Sequence, residues 1–323
     1  MSRSTVEDAY IALAMIWGLR DPSTSPHYPW LDTCYKRASS AIMTLRSLDV
    51  RVEHHVQPCL ALGVSLVTFA LKLGGTHVLP ICNHILSLVK PYYEAGKQLV
   101  DPDLLIAISL NEIAECLMCA RMPTLLVELP QDQAESYVSR YIGLSANILP
   151  YLFHICKISA EMAHGDPVDK DKTLNRLEEE IRRWQPSIHD RRMSEFTATE
   201  VSHMICQAST MQTAALLVIH RLRYPYGIED LAASAMASSI LSQIQMTHKI
   251  TGRAPRCVDL PLIVACTEIP DELGRTRYLR TLSSIAMFSL LFQKRVQSML
   301  ASFWEARTSS TTLYWCDLAA SLS

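Results

Sequence analysis

The stretch TLNRLEEEIRRWQPS, residues 173–187, decides how the chain folds. Three glutamates and three arginines fill residues 176–183, a density of charge that would suit a nucleic-acid contact, an acidic catalytic cluster or the wet side of a helix. The apolar residues choose between these. Leu174, Leu177, Ile181 and Trp184 fall at i, i+3, i+7 and i+10, one stripe at helical period. Glu178 with Arg182 and Glu179 with Arg183 are i,i+4 pairs in the favourable order, acid first. Each such pair contributes only ~0.2–0.5 kcal/mol, whereas burying a Leu or Ile side chain contributes ~1.5–3 kcal/mol. Burial therefore sets the position of this helix, the charges decorate its solvated side, and Pro186 stops it.

Working outward, helix signals recur along nearly the whole chain. Ser4 with Glu7 and Asp132 with Glu135 have capping-box spacing, and Asp101-Pro102 puts a cap before a proline at the first helical position. Leu31, Tyr35, Ala38, Ile42, Leu45 and Leu48 make another apolar stripe. Gly74-Gly75, Pro123, Gly165 and Pro225 supply stops. No alternating run bounded by a hairpin-type turn accompanies them. The expectation is an all-α protein, an irregular bundle of about ten to thirteen helices without significant sheet, forming a single domain over 1–323.

Composition agrees. Hydrophobic residues make up 49% of the chain and charged residues 19%, which excludes disorder, and only 10 glycines are present where a dinucleotide-binding or loop-rich β design would need many more. A formal net charge of −2 offers no basic surplus for phosphate, so direct DNA binding by this chain is not expected. The N-terminus reads poorly as a signal peptide, with Glu7 and Asp8 ahead of a short apolar run. The uncharged segments 56–73 and 141–156 are read as core helices rather than membrane spans, so a soluble chain without a membrane partner is expected.

Candidate chemistry is sparse. Cys116-x-x-Cys119 lacks the second pair of Cys or His that would complete a zinc site and reads as two core thiols. Cys82 with His84, His154 with Cys156, and His203 with Cys206 read the same way, and His54-His55 marks a solvated helix end. No nucleophile elbow, phosphate loop, zincin motif or dinucleotide fingerprint is present. The closest match to an aspartate-rich isoprenoid-cyclase motif is DPVDKD, residues 166–171, in a loop. No catalytic residue, cofactor or metal is expected. The thirteen methionines suit core filling, or an adaptable apolar cavity.

A longer pattern begins at the opening stretch. RLEEEIRRWQPS leads into the helix 200–225, then CVDLPLIVACTEIPDELGRTRYLRTL at 257–282, then two spaced tryptophans in MLASFWEARTSSTTLYWCDLAAS at 299–321. This order resembles the fungal-specific transcription factor domain that follows zinc-cluster DNA-binding regions, the family that includes sterol-responsive regulators. Trp184, Pro186, Pro261, Leu262, Ala265, Glu268, Arg275, Trp304 and Trp315 occupy matching places, and the likeness is best over 170–320. The resemblance implies a non-enzymatic regulatory domain in the nucleus, acting through the transcription machinery, a DNA-binding subunit, a homodimer partner or an apolar small-molecule effector, in a setting such as secondary metabolism. The family's six-cysteine cluster is not matched, since the first cysteines are Cys34 and Cys59 with no basic linker before them. The alternative is a helical protein or enzyme that binds a sterol, terpenoid or polyketide and has no link to transcription. For the landmark residues themselves the expectation is architectural: Trp304 and Trp315 staple the last helix to the core, and Glu268 pairs with Arg275 to fix a turn.

Overall fold

The computed structural model describes residues 4–17, 29–50, 52–96, 101–129, 137–165, 170–186, 194–285, 289–309 and 312–321. Within them lie thirteen α-helices. They are α1 (Ser4–Trp17), α2 (Pro29–Ser47), α3 (Glu53–Lys72), α4 (Val78–Glu94) and α5 (Pro102–Met118), then α6 (Leu149–His164), α7 (Lys170–Arg183), α8 (Ala198–Arg223) and α9 (Asp230–Thr251), and finally α10 (Asp259–Cys266), α11 (Glu272–Ile285), α12 (Leu290–Ser309) and α13 (Trp315–Ser321). A 3-10 turn, Leu144–Ile148, precedes α6. Among the described residues the only β feature is an isolated bridge between Ser139 and Gly143. The all-α expectation holds. The chain divides into two compact units, one of residues 1–115 with 288–295 and one of 116–287 with 296–323.

In the first unit α1 packs on α2 and α3, and α3 on α4. The apolar stripe of α2 differs from the expectation by a rotation of the helix. Cys34, Ala38, Ala41 and Leu45 are buried, while Tyr35 is 39% exposed. Small residues explain the choice: Ala12 and Ile16 of α1 pack against Cys34, Ala38 and Phe69, with the Cys34 thiol donating to the Ala12 carbonyl at 3.3 Å. Two helices approach closely where neither carries a large side chain, and a tyrosine on that line would hold them apart. His54–Lys72 within α3 is long and apolar enough to cross a membrane, yet most of that window is buried inside the unit. Its apolar surface is used in helix packing, as the core-helix reading requires.

Helix ends follow the chemistry of their residues. The Asp101 carboxylate accepts from the Asp103 N–H at 3.1 Å, capping α5 as expected. After α3, Gly74 and Gly75 both take positive φ, and the Gly75 N–H reaches the Ala70 carbonyl at 2.8 Å, closing the helix in a left-handed turn that side chains resist. Gly165 ends α6 in the same conformation. Thr197 and Glu200 form a reciprocal capping box at the start of α8. The Ser4 side chain, the Asp132–Glu135 pair and most of DPVDKD lie outside the described residues.

In the second unit α8 is the central helix, touching α6, α7, α9, α10, α13 and the 3-10 turn. Its C-terminal half is buried nearly all round, from Ala214 and Ala215 through Leu217, Val218, Ile219 and Leu222. The opening stretch forms α7, with Leu174, Leu177 and Ile181 buried against α8 and Trp184 half-buried beyond the helix end. The two i,i+4 pairs form as expected, each with an N–O distance of 2.8 Å. Glu178 does more than decorate the wet side. Its second oxygen accepts from Arg223 of α8 at 2.8 Å, and Arg223 also reaches Asn175. Burial alone would raise the Glu178 pKa, but hydrogen bonds from Arg223 and Arg182 hold it below the ordinary value.

Candidate functional site

Near its end α8 carries an arginine among leucines, and this residue organises the second unit. Arg221 is 0% exposed. Its Nε donates to Glu268 Oε1 at 2.8 Å and its Nη2 to Glu268 Oε2 at 2.7 Å, a bidentate pair. Nη2 also reaches Asp230, while Nη1 donates to the carbonyls of Pro225 and Ile228 at 3.1 and 3.0 Å. A guanidinium has five N–H donors, and all five are used. Burial would lower the Arg221 pKa, but the hydrogen bond and charge of Glu268 outweigh it and raise the value. The carboxylate expected to hold Arg275 thus holds Arg221 instead. Arg275 donates through Nε to the Ile269 carbonyl at 3.1 Å and lies over the Trp304 ring at 5.1 Å.

Around this ion pair the other landmarks assemble. The Tyr226 ring has the guanidinium carbons of Arg221 and Arg307 each 4.5 Å from its centroid, and burial pushes its phenol pKa far up. Arg307 also donates to the Thr267 carbonyl. Trp304 Nε1 donates to the Cys266 carbonyl at 3.1 Å, and Trp315 Nε1 to the Leu117 carbonyl at 3.0 Å. Phe303 connects the tryptophan of α13 to Tyr226, with ring centroids 5.8 and 5.9 Å apart. Pro261 is buried in α10, where every residue from Leu260 to Cys266 is enclosed. Trp184 and Pro186 stand apart from this cluster, the Trp184 carbonyl accepting from Gln212 of α8 at 2.7 Å. Every donor of Arg221 is satisfied within the chain, so its guanidinium serves the frame.

A pocket of about 540 Å³ lies elsewhere in the second unit, formed by the turn at 138–143, the first half of α8 and the segment after α9. The turn is rigid. Ser139 and Gly143 exchange backbone hydrogen bonds at 2.8 and 2.9 Å, and the Ser139 hydroxyl accepts from the Tyr141 N–H at 3.2 Å. Gly143 has φ 51° and ψ −122°, and a Cβ there would meet Met204 Cγ at 2.8 Å. Cys257 donates to the Tyr141 carbonyl at 3.2 Å, tying the turn to the segment after α9. Arg253 and Arg256 stand at the exposed rim, and His203 lines the wall with its Nε2 2.9 Å from the Thr251 hydroxyl.

The cysteines offer no second site. None of the ten forms a disulfide, and eight are buried. Burial pushes the thiols of Cys59 and Cys266 up to about 12. Among the described residues no group of three or more His, Cys, Asp or Glu side chains converges as metal ligands would.

The second unit is all-helical, and its pocket lies beside the first half of its central helix. Comparison with known families gives its kind. The family model for the fungal specific transcription factor domain matches residues 107–322, and the chain belongs to that family. The match begins well before residue 170 and spans nearly all of the second unit. No curated protein and no solved structure matches the chain.

Two features escape a reading of the sequence. Arg221 carries a visible signal, because it falls four residues after Leu217 and three after Val218, on the buried side of an apolar helix. An arginine there needs a buried acid, but the sequence does not say that the acid is Glu268. The pocket carries no signal, since its walls come from segments separated by about fifty residues or more and no motif joins them.

Proposed function

We propose that this chain is the non-enzymatic regulatory domain of a fungal transcription regulator, that its 323 residues act as one functional domain in the nucleus, and that it transmits an effector or partner signal to a DNA-binding subunit or to the transcription machinery. The observation that carries this reading is the family match over 107–322, which covers both the frame around Arg221 and the pocket. The net charge of −2 supports action through protein partners rather than direct contact with DNA. Exposed apolar side chains along α9, with Leu231, Met246 and Ile250 at 90, 59 and 72% exposure, support a protein partner or a second copy of the chain. Secondary metabolism is the setting proposed for the regulated genes.

Fusion of the chain to a heterologous DNA-binding domain in a fungal reporter strain tests the proposal. The expected result is reporter output that changes with growth condition and is lost on deletion of 257–322. A fusion that accumulates in the nucleus as folded protein and leaves the reporter at baseline under all conditions overturns it.

A further inference from the structure

The pocket at the entrance of α8 has a composition that selects its occupant. Arg253 and Arg256 line it, and neither guanidinium has an ion-pair or hydrogen-bonding partner among the described residues. The one acid in the lining, Glu200, is already engaged, its Oε2 accepting from the Thr197 N–H and hydroxyl at 2.8 Å each. Gln207 also lines the pocket at 5% exposure, and its amide nitrogen is buried with no hydrogen-bond partner among the described residues. A buried amide donor left unmade costs ~1–3 kcal/mol, so a folded protein retains one where a ligand or water supplies the acceptor. The pocket therefore offers two guanidinium groups and an amide N–H that have no partner among the described residues, all suited to an oxyanion.

Beside Ser139, Arg140, Thr199 and His203, part of the remaining wall is apolar and aromatic. Phe196, Tyr141, Val138 and Met204 contribute it, and Met204 also presses on Gly143. An inorganic anion would leave this surface wet, whereas a hydrophobic body carrying one acidic group would cover it. A volume of about 540 Å³ is that of a site for one small molecule. The planar fork of an arginine matches a carboxylate in two parallel hydrogen bonds.

We propose that this pocket binds a small organic carboxylate, with its acid group held by Arg253, Arg256 and Gln207 and its apolar body against Phe196 and Met204. The proposal rests on the regulatory reading only for the ligand's role as effector; the site itself stands on its own geometry. The positive field is already felt inside the pocket. Burial lowers the His203 pKa, and the charge of Arg256 lowers it further. The hydrogen-bonded turn at 139–143 carries the Tyr141 side of the wall, and a wall so tied lowers the ordering cost of binding.

The test uses the full chain and two matched pairs of probes: 2-naphthoate with 2-naphthamide, and decanoate with decanamide. Binding is measured by equilibrium dialysis and by saturation-transfer NMR, with inorganic phosphate and a short DNA duplex as further arms. The expected result is saturable binding of at least one acid, about tenfold or more tighter than its amide. The Arg253→Met/Arg256→Met double variant should lose that preference about tenfold or more while keeping the melting temperature of the parent, because neither guanidinium has a partner among the described residues. Gln207→Met, close in volume, should weaken the acid more than the amide, because the hydrogen bond to a carboxylate is the stronger one.

Several outcomes overturn the proposal. They are failure of both acids to bind up to about 1 mM, equal binding of acid and amide, an unchanged affinity in the double arginine variant, and phosphate or duplex binding as tight as the best acid. The reporter fusion separates this from the regulatory reading. A responsive fusion without carboxylate binding removes the site and keeps the regulatory role. Carboxylate binding with an inert fusion does the reverse.

Discussion

Arg221 and Glu268 are 47 residues apart in the chain and joined by two parallel hydrogen bonds of 2.8 and 2.7 Å, both side chains buried. The pair fastens the segment after α10 to the central helix, and Asp230 and two carbonyls of the loop after α8 take the remaining donors. Such a pair fixes one arrangement of the helices. Its net contribution to stability is small, because two charges were taken from water to make it, but the loss of either partner is costly.

Glu268→Gln should therefore destabilise the second unit by about 3–5 kcal/mol, since it leaves the Arg221 charge buried with only Asp230 to balance it. Arg221→Met should cost a similar amount. The double variant Arg221→Met/Glu268→Leu should cost clearly less than the two single losses added together. Urea titration followed by far-ultraviolet circular dichroism measures all three, and additive losses would show that the two side chains are not coupled.

Gly143→Ala should strain the turn that walls the pocket. Its φ of 51° with ψ of −122° suits only glycine, and the new methyl would sit 2.8 Å from Met204 Cγ. A loss of about 1–3 kcal/mol is expected, seen as a lower melting temperature. Gly165→Ala offers the comparison: that glycine has φ 74° in an ordinary left-handed helix end, with nothing within 4 Å of the added methyl, so the smaller loss is expected there.

Stability should fall as pH drops below neutrality. Burial lowers the folded-state pKa of His154, His203 and His220, helped by Arg176, Arg256 and Arg221 respectively. The unfolded chain, with histidine pKa of about 6.5, then takes up protons that the folded chain refuses. Their effect is absent above that value and grows below it, lowering the melting temperature between pH 7.5 and pH 5.5.

Asp259 works in the opposite direction. Burial raises its carboxyl to about 6, and its Oδ1 has no hydrogen-bond partner among the described residues. Its folded pKa lies above the unfolded value of about 3.9, so the ionised group opposes folding above pH 6 and the penalty is relieved as pH falls through 6. Asp259→Asn should raise the melting temperature at pH 7.5, and the gain should disappear near pH 4. A thermal-shift series across pH measures both effects.

The cysteines should resist alkylation in the folded protein. Burial raises Cys59, Cys257 and Cys266 to about 12 and Cys316 to about 11, so their thiolate populations at pH 7.5 are negligible. Of the two half-buried cysteines Cys119 should label first with iodoacetamide, ahead of Cys257 with its raised pKa, and the eight buried ones only on denaturation. Peptide mapping after timed exposure gives the order.

Much of the fold was legible because the relevant forces are local. The stripe of Leu174, Leu177 and Ile181 specified a helix and its buried face, Asp101 capped α5, and Gly74-Gly75 closed α3, each through neighbours within a few residues. The α2 stripe was displaced because local period does not choose between two adjacent faces. The partner α1 does, by admitting Cys34 and Ala38 and turning Tyr35 outward.

The order of landmarks from Trp184 to Trp315 was enough to indicate the family, since that order is a property of the chain itself. It did not say which acid meets which base. Glu268 lies seven residues from Arg275 in sequence, but α8 brings Arg221 to it, because a buried guanidinium must satisfy five donors and only the folded unit assembles their acceptors in one place. The same reason governs the pocket. Sequence determined the helices, their caps and most of their apolar faces, while tertiary packing decided where Arg253, Arg256 and Gln207 meet, because a site for a ligand depends on distances through space that no spacing along the chain records.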